Sequence, residues 1–189
     1  MKGDYRERQL QANRLKCDAY IEHHFNSGSA SGNYAVAVVG TNASKKSIDW
    51  AEAYSRAIAR EFGIEVKRKD NQHAIRDGVF LGGWDGQRGN ANLLHTLCPA
   101  ILLEPLFAGN PKHAAIIRST EGRLRLARVL VQTIRRFFPH GGHIAFSVGH
   151  KYKSSNTRDR GAPVFGGRTE ADFAELVLIE AKTMLETGK

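Results

Sequence analysis

Apolar residues in this chain fall into two kinds of run, and the polar residues that end those runs carry most of the information. Short runs of strand length stand at Asp18–His24, at "YAVAVVG" from Tyr34, at "AILLE" from Ala100 and at "HIAFSVGH" from His143. Longer runs with apolar positions three and four apart predict helices, the first over Arg6–Leu15. In the second, Ile48, Ala51, Ser55, Ile58 and Phe62 share a face, Ser47 is the expected N-cap with Asp49 in the first turn, and Gly63 is the stop. The third spans Glu121–Phe138, with Leu126, Val129, Leu130, Ile134 and Phe137 inward, arginines outward and Pro139 at its end. The last starts after Thr169, where Asp172 completes a capping box, and buries Phe173, Val177, Ala181 and Met184. "IEVKRK" from Ile64 reads as a further short strand. Residues 69–92, rich in Gly, Asn and Asp, read as a long loop of the kind that carries function.

Strands alternating with helices predict an α/β layered domain. No internal repeat, low-complexity tract or composition break divides the chain, so residues 1–189 are expected to form one domain.

Three strands end in a residue that a buried strand does not favour. The first ends at His23-His24, the one from Ala100 at Glu104, and the one from Ile144 at His150; Glu170 opens the last helix. Ligand crevices of open α/β sheets lie outside the carboxyl ends of the strands, so these side chains are expected to converge. Two imidazoles and one carboxylate make a His₂Glu zinc set with an open fourth position, and the second carboxylate is then free to act as general base. Alternation sends His23 and His24 to opposite faces, so only one of them can reach the metal. His73, His95, His113, His140 and His143 sit in loops or at element edges and read as solvated.

Composition narrows the setting. A net charge of +9 favours polyanionic surroundings: nucleic acid, anionic headgroups or an acidic wall polymer. Hydrophobic content of 41% excludes a disordered chain. Aromatics make up 8%, mostly at core-facing positions, which disfavours a nucleic-acid-binding module; that needs aromatics interleaved on a basic face. Cys17 and Cys98 form no disulfide framework and are expected as buried free thiols. The first twenty residues lack a signal-peptide core, and no apolar run nears the ~20 residues of a membrane helix. Cytoplasmic synthesis without a signal peptide is therefore expected, with no membrane insertion and release by other means. H-E-x-x-H, G-x-S-x-G, G-x-G-x-x-G and G-x-x-x-x-G-K are absent.

Three segments resemble zinc-dependent N-acetylmuramoyl-L-alanine amidases, enzymes of bacterial wall remodelling and phage lysis. "AILLEPLFAGNP" is similar to their closing strand, Glu, Phe and Asn-Pro. "RERQLQANRLKCDAYIEHHFNS" is similar to their Arg, Ala-Asn, strand and His-x-Asn segment, and "IAFSVGHKYKSSNTRDRGAPVFGGRTEADFAEL" to their opening Gly-His, Gly-Ala and helix-start Glu. The resemblance implies zinc ligands His24, His150 and Glu170, with Glu104 as the catalytic glutamate. It also implies a three-layer fold, a mixed β-sheet flanked by helices in the phosphorylase/hydrolase-like manner.

The order of blocks departs from the family's. The opening block stands here at about 143–186, behind the block that normally closes the domain, which reads as a circular permutation. Only "ETGK" and "MKGDY" stand where the family has a further strand, so that strand is expected to be missing or short. The loop after His150 carries "KYKSSNTRDR" in place of the usual extra glycines, which alters the expected substrate contacts. The implied function is hydrolysis of the bond between N-acetylmuramic acid and L-alanine in peptidoglycan, by a monomeric phage endolysin acting in the periplasm or cell wall. Another zinc peptidase acting on wall peptides and a basic nucleic-acid-binding module are the alternatives.

Overall fold

The computed structural model describes residues 1–83 and 88–188. In chain order the elements are α1 (Tyr5–Arg14), β1 (Ala19–His23), β2 (Tyr34–Val39), α2 (Lys45–Phe62), β3 (Glu65–Val66), β4 (Ala74–Arg76), β5 (Val79–Leu81), α3 (Arg88–Ala91), β6 (Ala100–Glu104), α4 (Pro111–Arg118), α5 (Thr120–Phe137), β7 (Ile144–Val148) and α6 (Glu170–Thr187). The sheet runs β4-β5-β2-β6-β1-β7, with β3 beside the start of β2. β1 is parallel to both β6 and β7, whereas β2 is antiparallel to β6, so the sheet is mixed. The carboxyl ends of β6, β1 and β7 consequently lie side by side at one edge of the domain.

Strand alternation splits the core between two faces. Ala19, Ile21, Ala35, Ala37, Ile101 and Leu103 pack against α2, α5 and α6, where Trp50, Ile58, Leu130, Val177 and Ala181 are buried. Tyr20, Val36, Val38, Ala100, Leu102 and Ala145 face the other way, onto Ala12 of α1 and Leu93. Helix layer, sheet and second helix layer make the three-layer arrangement expected. β7 has no strand partner on its outer edge among the described residues. There Arg8 donates to the Val148 carbonyl (2.7 Å) and the Met1 amino group to that of Phe146 (2.7 Å), so side chain and terminus satisfy two carbonyls of this edge.

Several local expectations need correction. Helix α2 starts at Lys45 because Ser44, not Ser47, caps it: Ser44 Oγ accepts from the Ser47 N–H, and Ser47 Oγ accepts from the Ala100 N–H across the core. Residues 69–92 are not one loop. They contain the antiparallel β4–β5 hairpin and α3, and the stretch 84–87 lies outside the described residues. Asp70 organises the hairpin entry by accepting from the Gln72, His73 and Ala74 N–H groups. Helix α4 is an addition to the expected elements; it begins at Asn110-Pro111, an N-cap followed by Pro at the first helical position. Cys17 and Cys98 are free but half-buried, not buried.

Candidate metal centre

His24 sits one residue beyond β1 and still belongs to the ladder, since its N–H donates to the Leu103 carbonyl at 2.9 Å. Its ring lies directly under Gly149, where a Cβ would come within 2.3 Å of the imidazole. His150 follows β7 with a left-handed backbone, φ +61°. Glu170 is the first residue of α6; its backbone N–H donates to the Ala162 carbonyl (2.8 Å) and its Oε2 accepts from the Ala162 N–H (3.0 Å). A Cβ on Gly161 would strike Glu170 at 2.5 Å and His150 at 2.7 Å. Backbone thus presses on both imidazoles and on the carboxylate, and only glycine permits that approach.

The ligand atoms of His24, His150 and Glu170 lie within 4.8 Å of one another. Glu170 Oε1 is the hub, 3.2 Å from His24 Nδ1 and 3.2 Å from His150 Nε2. The other nitrogen of each ring meets an outer carboxylate: His24 Nε2 lies 2.9 Å from Glu22 Oε1, and His150 Nδ1 lies 2.9 Å from Asp159 Oδ1. Asp159 is itself held by Lys153 (2.5 Å) and the Gly161 N–H (3.0 Å).

Two imidazoles and a carboxylate, each oriented from behind by a hydrogen-bonded group, are the donor set of a catalytic zinc, so the residues fit that ion. The electrostatics point the same way. Burial opposes charge on His24, yet Glu170 and Glu22 together hold its pKa well above the ordinary imidazole value. Burial would raise the Glu170 carboxyl, but the His150 and His24 rings bring it down to about 2. Glu22, likewise opposed by burial, is held at about 2 by His24 and Arg8. The pocket stabilises positive charge at its centre.

Glu104 ends β6, next to the residue that pairs with His23. Its Oε2 is enclosed and has no hydrogen-bond partner. Burial pushes its pKa up to about 8; the attraction of His24 opposes this, and the nearby charges of Glu170 and Glu22 add to it. Glu104 is therefore within electrostatic reach of the His24–Glu170 pair and is not spent on an arginine. A carboxyl poised near neutrality and free of partners is suited to proton transfer.

The structure brings His24, His150 and Glu170 together and sets Glu104 beside them. His23, on the opposite face, stays out: it is fully buried, edge-on to Phe25 (5.1 Å between centroids), and neither ring nitrogen has a partner. His95, His140 and His143 are exposed as expected. His113 is a correction. It is buried, accepts from the Phe107 N–H at Nδ1 (3.0 Å) and reaches Asn33 Oδ1 with Nε2 (3.1 Å), thereby fixing the loop after Glu104. Glu22 and Asp159 escaped the sequence reading. The signal for Glu22 was its spacing, since an acid two residues before His24 in an apolar strand shares the face of that imidazole.

The sequence profile of the N-acetylmuramoyl-L-alanine amidase family matches residues 2–136, more than half of the chain. No curated relative matches the chain. Among solved structures, the catalytic domain of CwlV, an N-acetylmuramoyl-L-alanine amidase from Bacillus (Paenibacillus) polymyxa var. colistinus, is 20% identical with a TM-score of 0.56. That match covers 72% of this chain and 66% of that one. The N-acetylmuramyl-L-alanine amidase Ami1 from Mycobacterium smegmatis is 22% identical with a TM-score of 0.58, over 72% of this chain and 61% of that one. An N-acetylmuramoyl-L-alanine amidase from Clostridium difficile 630 is 18% identical with a TM-score of 0.58, over 74% and 67%. The chain thus spans about two thirds of the length of these structures and shares their fold, and the profile match makes it a member of the N-acetylmuramoyl-L-alanine amidase family.

Proposed function

We propose that this protein is a zinc-dependent peptidoglycan hydrolase that cleaves the amide bond between N-acetylmuramic acid and L-alanine. The observation that carries the reading is the meeting of His24, His150 and Glu170 within 4.8 Å, beside the unpartnered carboxyl of Glu104, in a chain whose family is defined by this activity. His24, His150 and Glu170 would hold the ion, which when bound supplies Lewis acidity at the scissile carbonyl and a nucleophilic water. Glu104 takes the proton of the attacking water on its carboxylate and returns it to the leaving amino group of alanine. The backbone contacts of Gly149 and Gly161 keep the ligands in place, so little reorganisation is left for the reaction.

The order of the blocks supports a circular permutation of one catalytic domain. The family match ends at residue 136, and the segment beyond it carries His150 and Glu170. That segment returns to the matched part through β7, parallel to β1, and α6, packed on α5. Joining the present termini through a short linker and reopening the chain at His140-Gly141-Gly142 should give a folded, metal-binding protein; failure at every linker length would discard the permutation.

The lytic setting, a phage endolysin reaching peptidoglycan in the periplasm or wall, belongs to the same proposal. Net charge +9 favours residence on an anionic envelope, and no helix among the described residues is long and apolar enough to cross a membrane. The deciding experiment is analysis of wall fragments after digestion by the zinc-loaded protein. Amidase action frees the amino group of the stem-peptide alanine and leaves intact muramic acid. Release of amino groups only from within the peptide would favour the other zinc-peptidase reading, and no release with no bound zinc would refute both.

A further inference from the structure

Glu22 is an acid in the middle of a strand whose residues are all buried, a position where an unpaired carboxylate is not tolerated. The side chains around it resolve this by donating. Tyr20 Oη donates to Oε2 at 2.9 Å, Ser147 Oγ to the same oxygen at 3.0 Å, and Asn92 Nδ2 donates to Oε1. The guanidinium of Arg8 stands 3.9 Å away, but its own hydrogen bonds go to the Gly3, Val148 and Lys151 carbonyls and to Ser147 Oγ. Glu22 thus acts only as an acceptor, and its nearest charged contact is not the arginine. It is His24 Nε2, at 2.9 Å from Oε1.

This arrangement decides which ring nitrogen of His24 carries the hydrogen. Both ring nitrogens face a carboxylate, but Glu22 lies outside the proposed ligand set, so the nitrogen it faces keeps its hydrogen, and the lone pair left for a cation shared with Glu170 is that of Nδ1. Nδ1 is the atom that faces the Glu170 hub at 3.2 Å. We propose that Glu22 is a positioning residue of the metal centre: it fixes His24 as the Nε2–H tautomer, presents Nδ1 to a divalent cation, and through Arg8 links that ligand to α1. His150 has the opposite arrangement, since Asp159 occupies its Nδ1 and leaves Nε2 for the metal. The centre is then built from one Nδ1 and one Nε2 ligand, each set by its own carboxylate. This inference rests on the zinc reading above and adds to it a residue that contacts neither the metal nor the substrate.

The test uses the chain of residues 1–189. Zinc affinity is measured by competition with a chromophoric chelator for wild type, Glu22→Gln and Tyr20→Phe, with the melting temperature of each metal-free protein as the control for folding. Groups that hydrogen-bond the outer nitrogen of a metal-binding histidine are typically worth ~10–100-fold in metal affinity, and Glu22→Gln should lose that much. Tyr20→Phe removes a donor to the same carboxylate without touching His24 and should bind zinc as wild type does. A folded Glu22→Gln with wild-type affinity would overturn the proposal. A second measurement holds even if that variant does not fold: ¹⁵N NMR of the histidine rings in zinc-loaded wild type should place the hydrogen on Nε2 of His24 and on Nδ1 of His150, and the reverse at His24 would also overturn it. Wild-type protein that takes up no zinc would refute the zinc reading itself, which separates the two failures.

Discussion

Replacing Glu104 by Gln should make the metal-free protein more stable while abolishing hydrolysis. The carboxyl belongs to a fold that favours its neutral form, with its pKa raised from the ordinary 4.5 to about 8 by burial and by the charges of Glu170 and Glu22. For an acid raised in this way the stabilising contribution is complete below pH 4.5 and is lost as pH climbs from 4.5 toward 8. At pH 7 some 2.5 units of that interval have been crossed, and at ~1.4 kcal/mol per unit the ceiling is roughly 3 kcal/mol. Lost attraction between Glu104 and His24, together with water reaching the site, leaves about 1–3 kcal/mol to be recovered by an uncharged isostere. For a domain of this size that is a rise in Tm of roughly 3–10 °C. Thermal unfolding of wild type and Glu104→Gln after chelation, at pH 5 and pH 7.5, reads the effect directly. The gap between the two proteins should open as pH rises. Turnover of zinc-loaded Glu104→Gln on peptidoglycan should fall by at least ~10²–10⁴-fold with zinc content unchanged. Equal stability at both pH values together with near-normal hydrolysis would refute the environment and the role assigned to this carboxyl.

Glu170→Gln should lose zinc along with activity, because it weakens the atom shared by both imidazoles; elemental analysis after dialysis separates it from Glu104→Gln, which keeps the metal. His113→Leu should cost about 1–3 kcal/mol in denaturant unfolding, since the Phe107 N–H is left without its acceptor, while zinc content stays unchanged. Burial lowers the His113 pKa below the ordinary 6.5, so its neutral form is the one the fold uses. Its contribution is present above pH 6.5 and is lost as pH falls below that value, and the variant should show a correspondingly flatter acid limb.

The parts of the site that could be read from the sequence share a physical cause. His24, Glu104 and His150 each terminate an apolar strand, and a polar residue there contrasts with its surroundings in one dimension, before any folding is known. Glu170 is visible because a capping box marks the start of its helix. Glu22 breaks the apolar pattern just as plainly, but its reason is three-dimensional: besides Tyr20 its donors are Ser147 of β7, 125 residues away, and Asn92, with the Arg8 charge of α1 nearby. His113 looked solvated because its neighbours are polar or small, yet the loop from residue 26 to 33 folds over it and supplies Asn33. The β4–β5 hairpin was hidden by strands of three residues each, too short to show alternation above the glycine- and asparagine-rich background. Ser44 and Ser47 are equally good caps by composition, and only the core contact of Ser47 with Ala100 decides between them.

The left-handed backbone of His150 bears on how this protein can change over generations. Side chains with a Cβ occupy φ near +61° at a cost of roughly 1–3 kcal/mol, which glycine largely avoids. Glycine at position 150 would relieve that backbone cost but would also remove the imidazole that pairs with the buried Glu170 carboxylate and with Asp159, so the fold sets two opposed terms against each other there. A screen for wall hydrolysis, the proposed activity, would add a further term in favour of the imidazole. Thermostabilising libraries built on this chain should hold position 150 fixed, since glycine there would remove one of the three proposed ligands.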